Sequence, residues 1–296
     1  MNFFDEAQVR AVLTYADLIP AMRQALMDFS AGRAVQPVRT VLPVASHAGW
    51  FGVMPALYGA VMGAKMVTFY PKNAELGKHT HRAIIQLFRA DTGEPLATLD
   101  GRLITEMRTA AVSAVAVDQL AAAEVSALAI LGSGIQARSH FKALSLVRRF
   151  KDIRIWSRTP EHAQLLASEI GGRAVSAEEA VANADVVVTV TSSIKPVLLG
   201  RWLRNDAVVC AIGAVTPERR ELDDEAMRGC VVVESREAAG REPGDIIQAQ
   251  AEISAELGEL LSGKQMEQRA GPTVFKSVGI GIEDIAAAKL VYDKST

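Results

Sequence analysis

Two groups of residues in this chain have types and spacings suited to chemistry. The first is Gly132-Ser-Gly134-Ile-Gln136-Ala137, which follows the apolar run Ala127–Leu131. An apolar strand, a glycine turn and a helix start in that order make a phosphate-binding turn. Gly132 permits the bend, Gly134 lets backbone N–H groups approach a pyrophosphate, and the small Ala137 lets helix and strand pack closely. Ser133, Ile135 and Gln136 complete the same candidate site. Glycines also serve plain turns, so the context decides. The next apolar strand, Asp152–Trp156, ends in Ser157-Arg158-Thr159, where a dinucleotide fold places its ribose reader. No acid stands there to bind a ribose 2′-hydroxyl, whereas hydroxyls and a guanidinium suit a 2′-phosphate. NADPH (NADP) is therefore the preferred cofactor, with NADH (NAD) as the second choice. The plainer reading is a solvated turn before a helix opened by Pro160.

The second group is cationic. Lys65 sits inside the apolar stretch Gly63–Phe69, Arg108 interrupts a run of small residues, and Arg39 precedes an extended segment. Cations in apolar surroundings cost free energy unless they meet an anion. A substrate carboxylate would serve, and so would an internal acid such as Glu106 or Asp100. His79 and His81 share one face if extended, but no third metal ligand follows at a recognisable spacing, so no metal is expected. His81 and Thr80 are instead candidates for a polar pocket wall. Lys72-Asn73 lies in a loop after Pro71, and Glu221–Glu225 is read as acids opening a helix and complementing its dipole. No Ser/His/Asp nucleophile arrangement is evident.

The elements that must position these groups differ along the chain. From Ala127 to Glu234, apolar strands (Ala127–Leu131, Ile153–Trp156, Val186–Val190, Ala207–Ile212, Val231–Glu234) alternate with helical patterns, which predicts an α/β fold with a Rossmann-type doubly wound parallel sheet. Right-handed crossovers bring Gly132, Ser157 and the Val190-Thr191-Ser192 tip to one sheet edge. Before this region, a helix over Tyr15–Ser30 and extended segments at Thr40–Ala45, Gly52–Pro55, Ala64–Phe69, Ala83–Phe88 and Leu96–Asp100 predict a mixed or antiparallel sheet. A buried helix from Ile104 to Leu120 joins the two regions, and Glu283–Tyr292 reads as a helix able to return to the first. The expected division is 1–118, 119–279 and 280–296.

Composition sets the bounds. The chain has 296 residues, is 49% hydrophobic and carries a formal charge of −2, enough for real cores and without the basic excess of a nucleic-acid or membrane-surface binder. No basic leader with a long apolar run opens it, so a cytoplasmic protein without a membrane partner is expected. The two cysteines, Cys210 and Cys230, lie in apolar runs and read as buried thiols.

Several motifs taken in order, Gly52-Val-Met54-Pro55, Lys65-Met-Val-Thr-Phe-Tyr70, Asp100-Gly101, Arg108-Thr-Ala-Ala-Val-Ser113, the Gly132 turn and Thr273–Gly279, resemble the ornithine cyclodeaminase/mu-crystallin family over about Ala16 to Asp293. The resemblance implies a homodimer, with a mixed α+β substrate and dimerisation domain formed by both chain ends. It also implies that Arg39, Lys65 and Arg108 hold a substrate carboxylate beside Met54, and that Thr109, Gly213, Val215, Ser277 and Gly279 join the cofactor site. Deaminating members and alanine dehydrogenases look to carry an Asp where this chain has Val215, and cyclodeaminases a Glu where it has Gly52. Val cannot exchange a proton. The segment Gly213–Asp224 is similar to the branch that reduces cyclic ketimines with NADPH. The implied activity is reduction of Δ1-pyrroline- or Δ1-piperideine-2-carboxylate to proline or pipecolate; a cyclic imine can enter already protonated from solvent, and where a protein donor is needed Lys65 or Thr80, through a water, is the candidate. Ornithine cyclodeamination, alanine dehydrogenation and non-catalytic binding of a small molecule with NADPH are the rivals.

Overall fold

The computed structural model of the chain describes residues 1–267 and 269–296, which divide into two compact units, 1–109 with 279–296, and 110–278. No helix of the described residues is long and apolar enough to cross a membrane.

In the first unit a seven-stranded mixed sheet is built, among the described residues, around long antiparallel strands at Gly49–Tyr58, Val61–Phe69, His81–Arg89 and Pro95–Asp100. Each outruns the segment expected from sequence, because the ladder continues to the chain reversals, both at the two-residue turn 59–60 and at the longer connection 70–80. Asn2–Phe4 adds a parallel edge strand beside Pro95–Asp100, and Thr40–Val44 pairs with Gly49–Tyr58. Alternation gives the sheet an inner face, on which Met54, Lys65, Ile85 and Leu99 form one row across four strands. The helices Tyr15–Ser30 and Gly281–Ser295 pack together, and the latter packs on the sheet. Both ends of the chain thus build this unit.

In the second unit an eight-stranded sheet, counted among the described residues, is parallel throughout. Its order is Arg173–Ala174, Asp152–Trp156, Ala127–Leu131, Val186–Thr189, Val208–Ala211, Thr273–Lys276, Cys230–Val233 and Ile253–Glu256. The central strands are fully buried, as near-continuous Val, Ile, Leu and Ala runs require of a sheet covered on both faces. Thr273–Lys276 is inserted between strands that are nearer neighbours in sequence. Cys210 and Cys230 are buried free thiols, and burial pushes the Cys210 thiol up to about 12. The helix Gly101–Leu120 begins in the first unit, and its second half, from Ala110 to Val117, is completely buried.

Candidate active site

The glycine turn lies where the sequence puts it. The strand Ala127–Leu131 ends at Gly132, whose φ of +130° is open to glycine alone. A Cβ there would fall 2.7 Å from the Val190 carbonyl oxygen. The Gly132 N–H donates to the Trp156 carbonyl at 2.8 Å and the Val190 N–H to that of Leu131 at 2.9 Å, so the three neighbouring strand tips meet. Gly134 is the N-cap of the helix Ile135–Val147 and contributes no side-chain cap. The first-turn N–H groups therefore keep their donors for a ligand. A Cβ on Gly134 would meet nothing within 4 Å, which leaves space before the helix, and the buried Gln136 Oε1 has no hydrogen-bond partner among the described residues. These features fit a nucleotide pyrophosphate.

His140 anchors this helix start: its Nδ1 lies 2.7 Å from the Gln136 carbonyl oxygen and its Nε2 2.9 Å from the Ser113 hydroxyl. Burial holds its pKa down at about 4, so the ring is neutral. The Ser133 hydroxyl donates to Ser157 at 2.9 Å, joining the glycine turn to the tip of the strand Asp152–Trp156. Arg158 is exposed, and Thr159 makes no capping bond to the helix Pro160–Ile170. The Ser192 carbonyl accepts from Arg219 at 3.1 Å, Val215 is half-buried, and the Ser277 hydroxyl donates to Glu234.

The first unit gathers the three cations and supplies acids that sequence reading did not single out. Arg108 donates from Nη1 to Glu283 at 2.6 Å and from Nε to Asp284 at 2.9 Å, while Lys65 Nζ lies 2.6 Å from the other Asp284 oxygen. Glu283 and Asp284 open the helix Gly281–Ser295 and are completely buried. They, rather than Glu106 or Asp100, are the internal acids. Glu106 pairs with Arg102, and Asp100 accepts from the Leu103 N–H. Burial pulls the Lys65 ammonium down to about 7; Asp284 opposes this, and the charges of Arg108 and Arg39 add to it.

Gly279 belongs to this cation group. Its carbonyl accepts from Arg39 at 2.7 Å, its φ is +71°, and a Cβ on it would fall 2.5 Å from Arg108 Nη1. Gly279→Ala is therefore expected to displace Arg108 and raise KM for a carboxylate substrate about tenfold while leaving nucleotide affinity unchanged, as steady-state kinetics and nucleotide titration would read. An unchanged KM would contradict this placement. Thr109, by contrast, turns its hydroxyl back to the Thr105 carbonyl at 2.7 Å.

Met54 stands directly across from Lys65 on the inner face. One row further lie Gly52, Val67 and Ala83, all small or short, and the row beyond them holds Trp50, Phe69 and His81. The Phe69 and His81 rings are 4.5 Å apart, those of Trp50 and Phe69 5.8 Å. The result is an inner face with a buried ammonium at one end, small side chains in the middle and an aromatic wall at the other. His81 belongs to the wall: by strand rise it is about 13 Å from the Lys65 row, and the Thr80 hydroxyl, just before the strand, lies 3.2 Å from its Nδ1. His79 is exposed, and among the described residues no cluster of His, Cys, Asp or Glu could hold a metal.

The acidic run Glu221–Glu225 corrects the expectation from sequence. Glu221 opens no helix; it is completely buried, and the only helical turn nearby among the described residues begins at Ala226. Its carboxylate takes three hydrogen bonds from the strand tips, so it serves the sheet edge rather than a helix dipole. Lys276, Asp245 and Glu234 are likewise completely buried charged groups that the sequence reading passed over. A Lys within the apolar Thr273-Val-Phe-Lys276 carried the same signal as Lys65.

Comparison with known proteins supplies the context for this geometry. The model of the ornithine cyclodeaminase/mu-crystallin family matches residues 2–296. The chain is 46% identical over 285 residues to "Ketimine reductase mu-crystallin" of Mus musculus, covering 93% of this chain and 91% of that protein. Its fold is similar to that of Thermococcus litoralis Δ1-pyrroline-2-carboxylate reductase in complex with NADH and L-proline, with a TM-score of 0.94, 32% identity and coverage of 100% and 97% of the two chains. An archaeal alanine dehydrogenase dimer with bound NAD superposes with a TM-score of 0.93 at 28% identity, covering 100% and 96%.

Proposed function

We propose, because this chain belongs to the ornithine cyclodeaminase/mu-crystallin family, that it uses NAD(P)H to reduce a cyclic ketimine carboxylate. The substrate is Δ1-pyrroline- or Δ1-piperideine-2-carboxylate, and the product is the cyclic L-amino acid, proline or pipecolate. One observation carries this reading. Lys65 and Arg108 share the buried Asp284, Arg108 also bonds Glu283, and Arg39 binds the Gly279 carbonyl that adjoins Arg108, so three cationic side chains converge on one place. Guanidinium and ammonium groups gathered in this way can hold a substrate carboxylate with charge-assisted hydrogen bonds. The row of small side chains beside Lys65, with the aromatic row beyond it, is the face assigned to the ring.

The reduced nicotinamide supplies a hydride to the imine carbon. The residues of the chain do the rest. Arg39 and Arg108 hold the carboxylate and thereby orient the ring. Lys65 holds a proton toward the imine nitrogen, with a pKa near neutrality that suits transfer in either direction. Lys65 is assigned this part over Thr80 because it stands among the carboxylate-binding cations. The Val215 position offers no acid, which argues against release of ammonia from a diamino acid. The names of the Mus musculus and Thermococcus litoralis relatives support the same substrate class.

Within this reading the preferred nucleotide is NADPH, held at its 2′-phosphate by Ser157, Arg158 and Thr159. Arg158→Ala is expected to lower the preference for NADPH over NADH by about tenfold, since a charge-assisted contact to phosphate is lost; equal loss for both nucleotides would remove Arg158 from that role. The protein acts as a homodimer in the cytoplasm, where reduced nucleotide is available. The outer sheet face supports dimerisation: Leu42, Leu57 and Ile84 are exposed on it, alongside Met62 and Phe88. The experiment that tests the activity is the fall in reduced-nicotinamide absorbance with each imine and each nucleotide. Turnover with a cyclic imine supports the reading, and nucleotide binding without turnover on either would refute it.

A further inference from the structure

We infer that Glu221 is a positioning residue for the nucleotide, a buried carboxylate that ties together the tips of two neighbouring strands on which the nicotinamide end rests. The inference builds on the proposed nucleotide-dependent activity and assigns a part to a residue outside the glycine turn and the cation group. The strands Val186–Thr189 and Val208–Ala211 run side by side in the parallel sheet. Beyond their last ladder bonds, at Thr191 and Gly213, the backbone N–H groups have no strand partner, and buried N–H groups must be satisfied.

One side chain satisfies both. Glu221 Oε1 accepts from the Thr191 N–H at 2.6 Å, and Oε2 accepts from the Gly213 N–H at 2.7 Å and from the Thr189 hydroxyl at 2.8 Å. Gly213 makes the approach possible, since a Cβ there would lie 2.0 Å from the Thr191 carbonyl oxygen. The carboxylate is itself fixed. The Glu221 and Leu222 N–H groups donate to Asp245 Oδ1 at 2.7 and 3.0 Å, and the Glu221 carbonyl accepts from Val197 and Leu198 at 2.8 and 2.9 Å. Lys276 Nζ stands 3.2 Å from the other Asp245 oxygen and donates to the Ala211 carbonyl at 3.0 Å, back on the second strand.

All three ionisable groups are completely buried. Burying such a network is expensive, and apolar packing would hold the strands together at lower cost. What the carboxylate adds is a fixed separation and direction for two backbone segments at the mouth of the fold, where open α/β sheets bind their ligands. Three donors converge on one group, and a carboxylate alone presents two oxygens that can accept them all. An amide would turn its NH2 toward one of the tip donors.

The test uses the full chain with Glu221→Gln, Glu221→Ala and Thr189→Val, titrated with NADPH by fluorescence, with melting temperature and KM for the imine at saturating nucleotide measured alongside. The expected loss of NADPH affinity is graded with the damage to the tie: about threefold for T189V, which removes one of its three hydrogen bonds, about tenfold for E221Q, which sets an NH2 against a tip donor, and about a hundredfold for E221A, which leaves both tip N–H groups unmet. KM for the imine stays within about twofold because the cations are untouched. Folded variants that bind NADPH as tightly as the unaltered protein, or that raise KM for the imine instead, would overturn the inference. Should E221A fail to fold, E221Q and T189V decide it by the same criterion. Absence of NADPH binding by the unaltered protein would overturn the proposed function beneath it.

Discussion

Lys65→Met is expected to lower kcat/KM for the cyclic imine by about a thousandfold, the loss typical when a positioned proton carrier is removed. Met nearly matches the side-chain volume, and Asp284 keeps its bond to Arg108 Nε, so the variant should fold. The pH dependence gives the result its signature. With a pKa of about 7 in the folded chain, Lys65 carries its proton below that pH and loses it above. The kcat/KM should therefore fall as pH rises through about 7, and this limb should vanish in the Met variant. Stability should move the other way. Between about 7 and the ordinary value of 10.5 the unfolded chain binds the extra proton, so folding becomes more favourable as pH rises through that window. Melting temperature and kcat/KM measured on the same samples should thus have opposite slopes above neutrality. Parallel slopes would show that Lys65 does not titrate as described.

Gly132→Ala is expected to abolish measurable nucleotide binding, with an affinity loss of more than about a hundredfold, through backbone strain and steric conflict together. At φ +130° an L side chain is strained, and the new Cβ would meet the Val190 carbonyl oxygen at 2.7 Å and its Cγ2 at 2.9 Å. The only relief is a shift of the turn or of the Val190 tip, and both belong to the binding edge. Gly134→Ala provides the contrast. Its φ of −81° is ordinary, and its Cβ would enter open space, so the fold should melt unchanged while NADPH binds about tenfold more weakly because the methyl group occupies the approach to the helix N-terminus. Equal effects at the two glycines on melting and on binding would contradict this division of roles.

Much of this molecule is written in local pattern, and the remainder depends on long-range partners. The strands Ala127–Leu131 and Val186–Thr189 were legible because an apolar run bounded by turn residues admits few other structures. Thr273–Lys276 stands within a family-like motif but does not announce itself as a strand: four residues carry no period, and nothing local signals insertion between Val208–Ala211 and Cys230–Val233. The same holds for Asn2–Phe4 and Ile253–Glu256. In the site, Lys65 and Arg108 stood out as charges among apolar neighbours. Their partners did not, because Glu283 and Asp284 occupy the first turn of a helix, where acids are expected on dipole grounds alone. Glu221 was hidden for the same reason, since Glu-Leu-Asp-Asp-Glu reads as the acidic opening of a helix until the fold shows its first residue facing two strand tips. Gly279 likewise looked like part of a nucleotide loop, and its contact with two arginines required three-dimensional placement.

The proposed function is hydride transfer from reduced nicotinamide to a ring-bound C=N carbon. Its most direct test is isotope transfer: the protein is incubated with Δ1-pyrroline-2-carboxylate and NADPH deuterated at nicotinamide C4 on one face or on the other, and the product is examined by mass spectrometry and NMR. The account predicts L-proline carrying one deuterium at Cα from one of the two labelled nucleotides and none from the other. Proline without label from either nucleotide, or no product from an enzyme that binds NADPH, would contradict it.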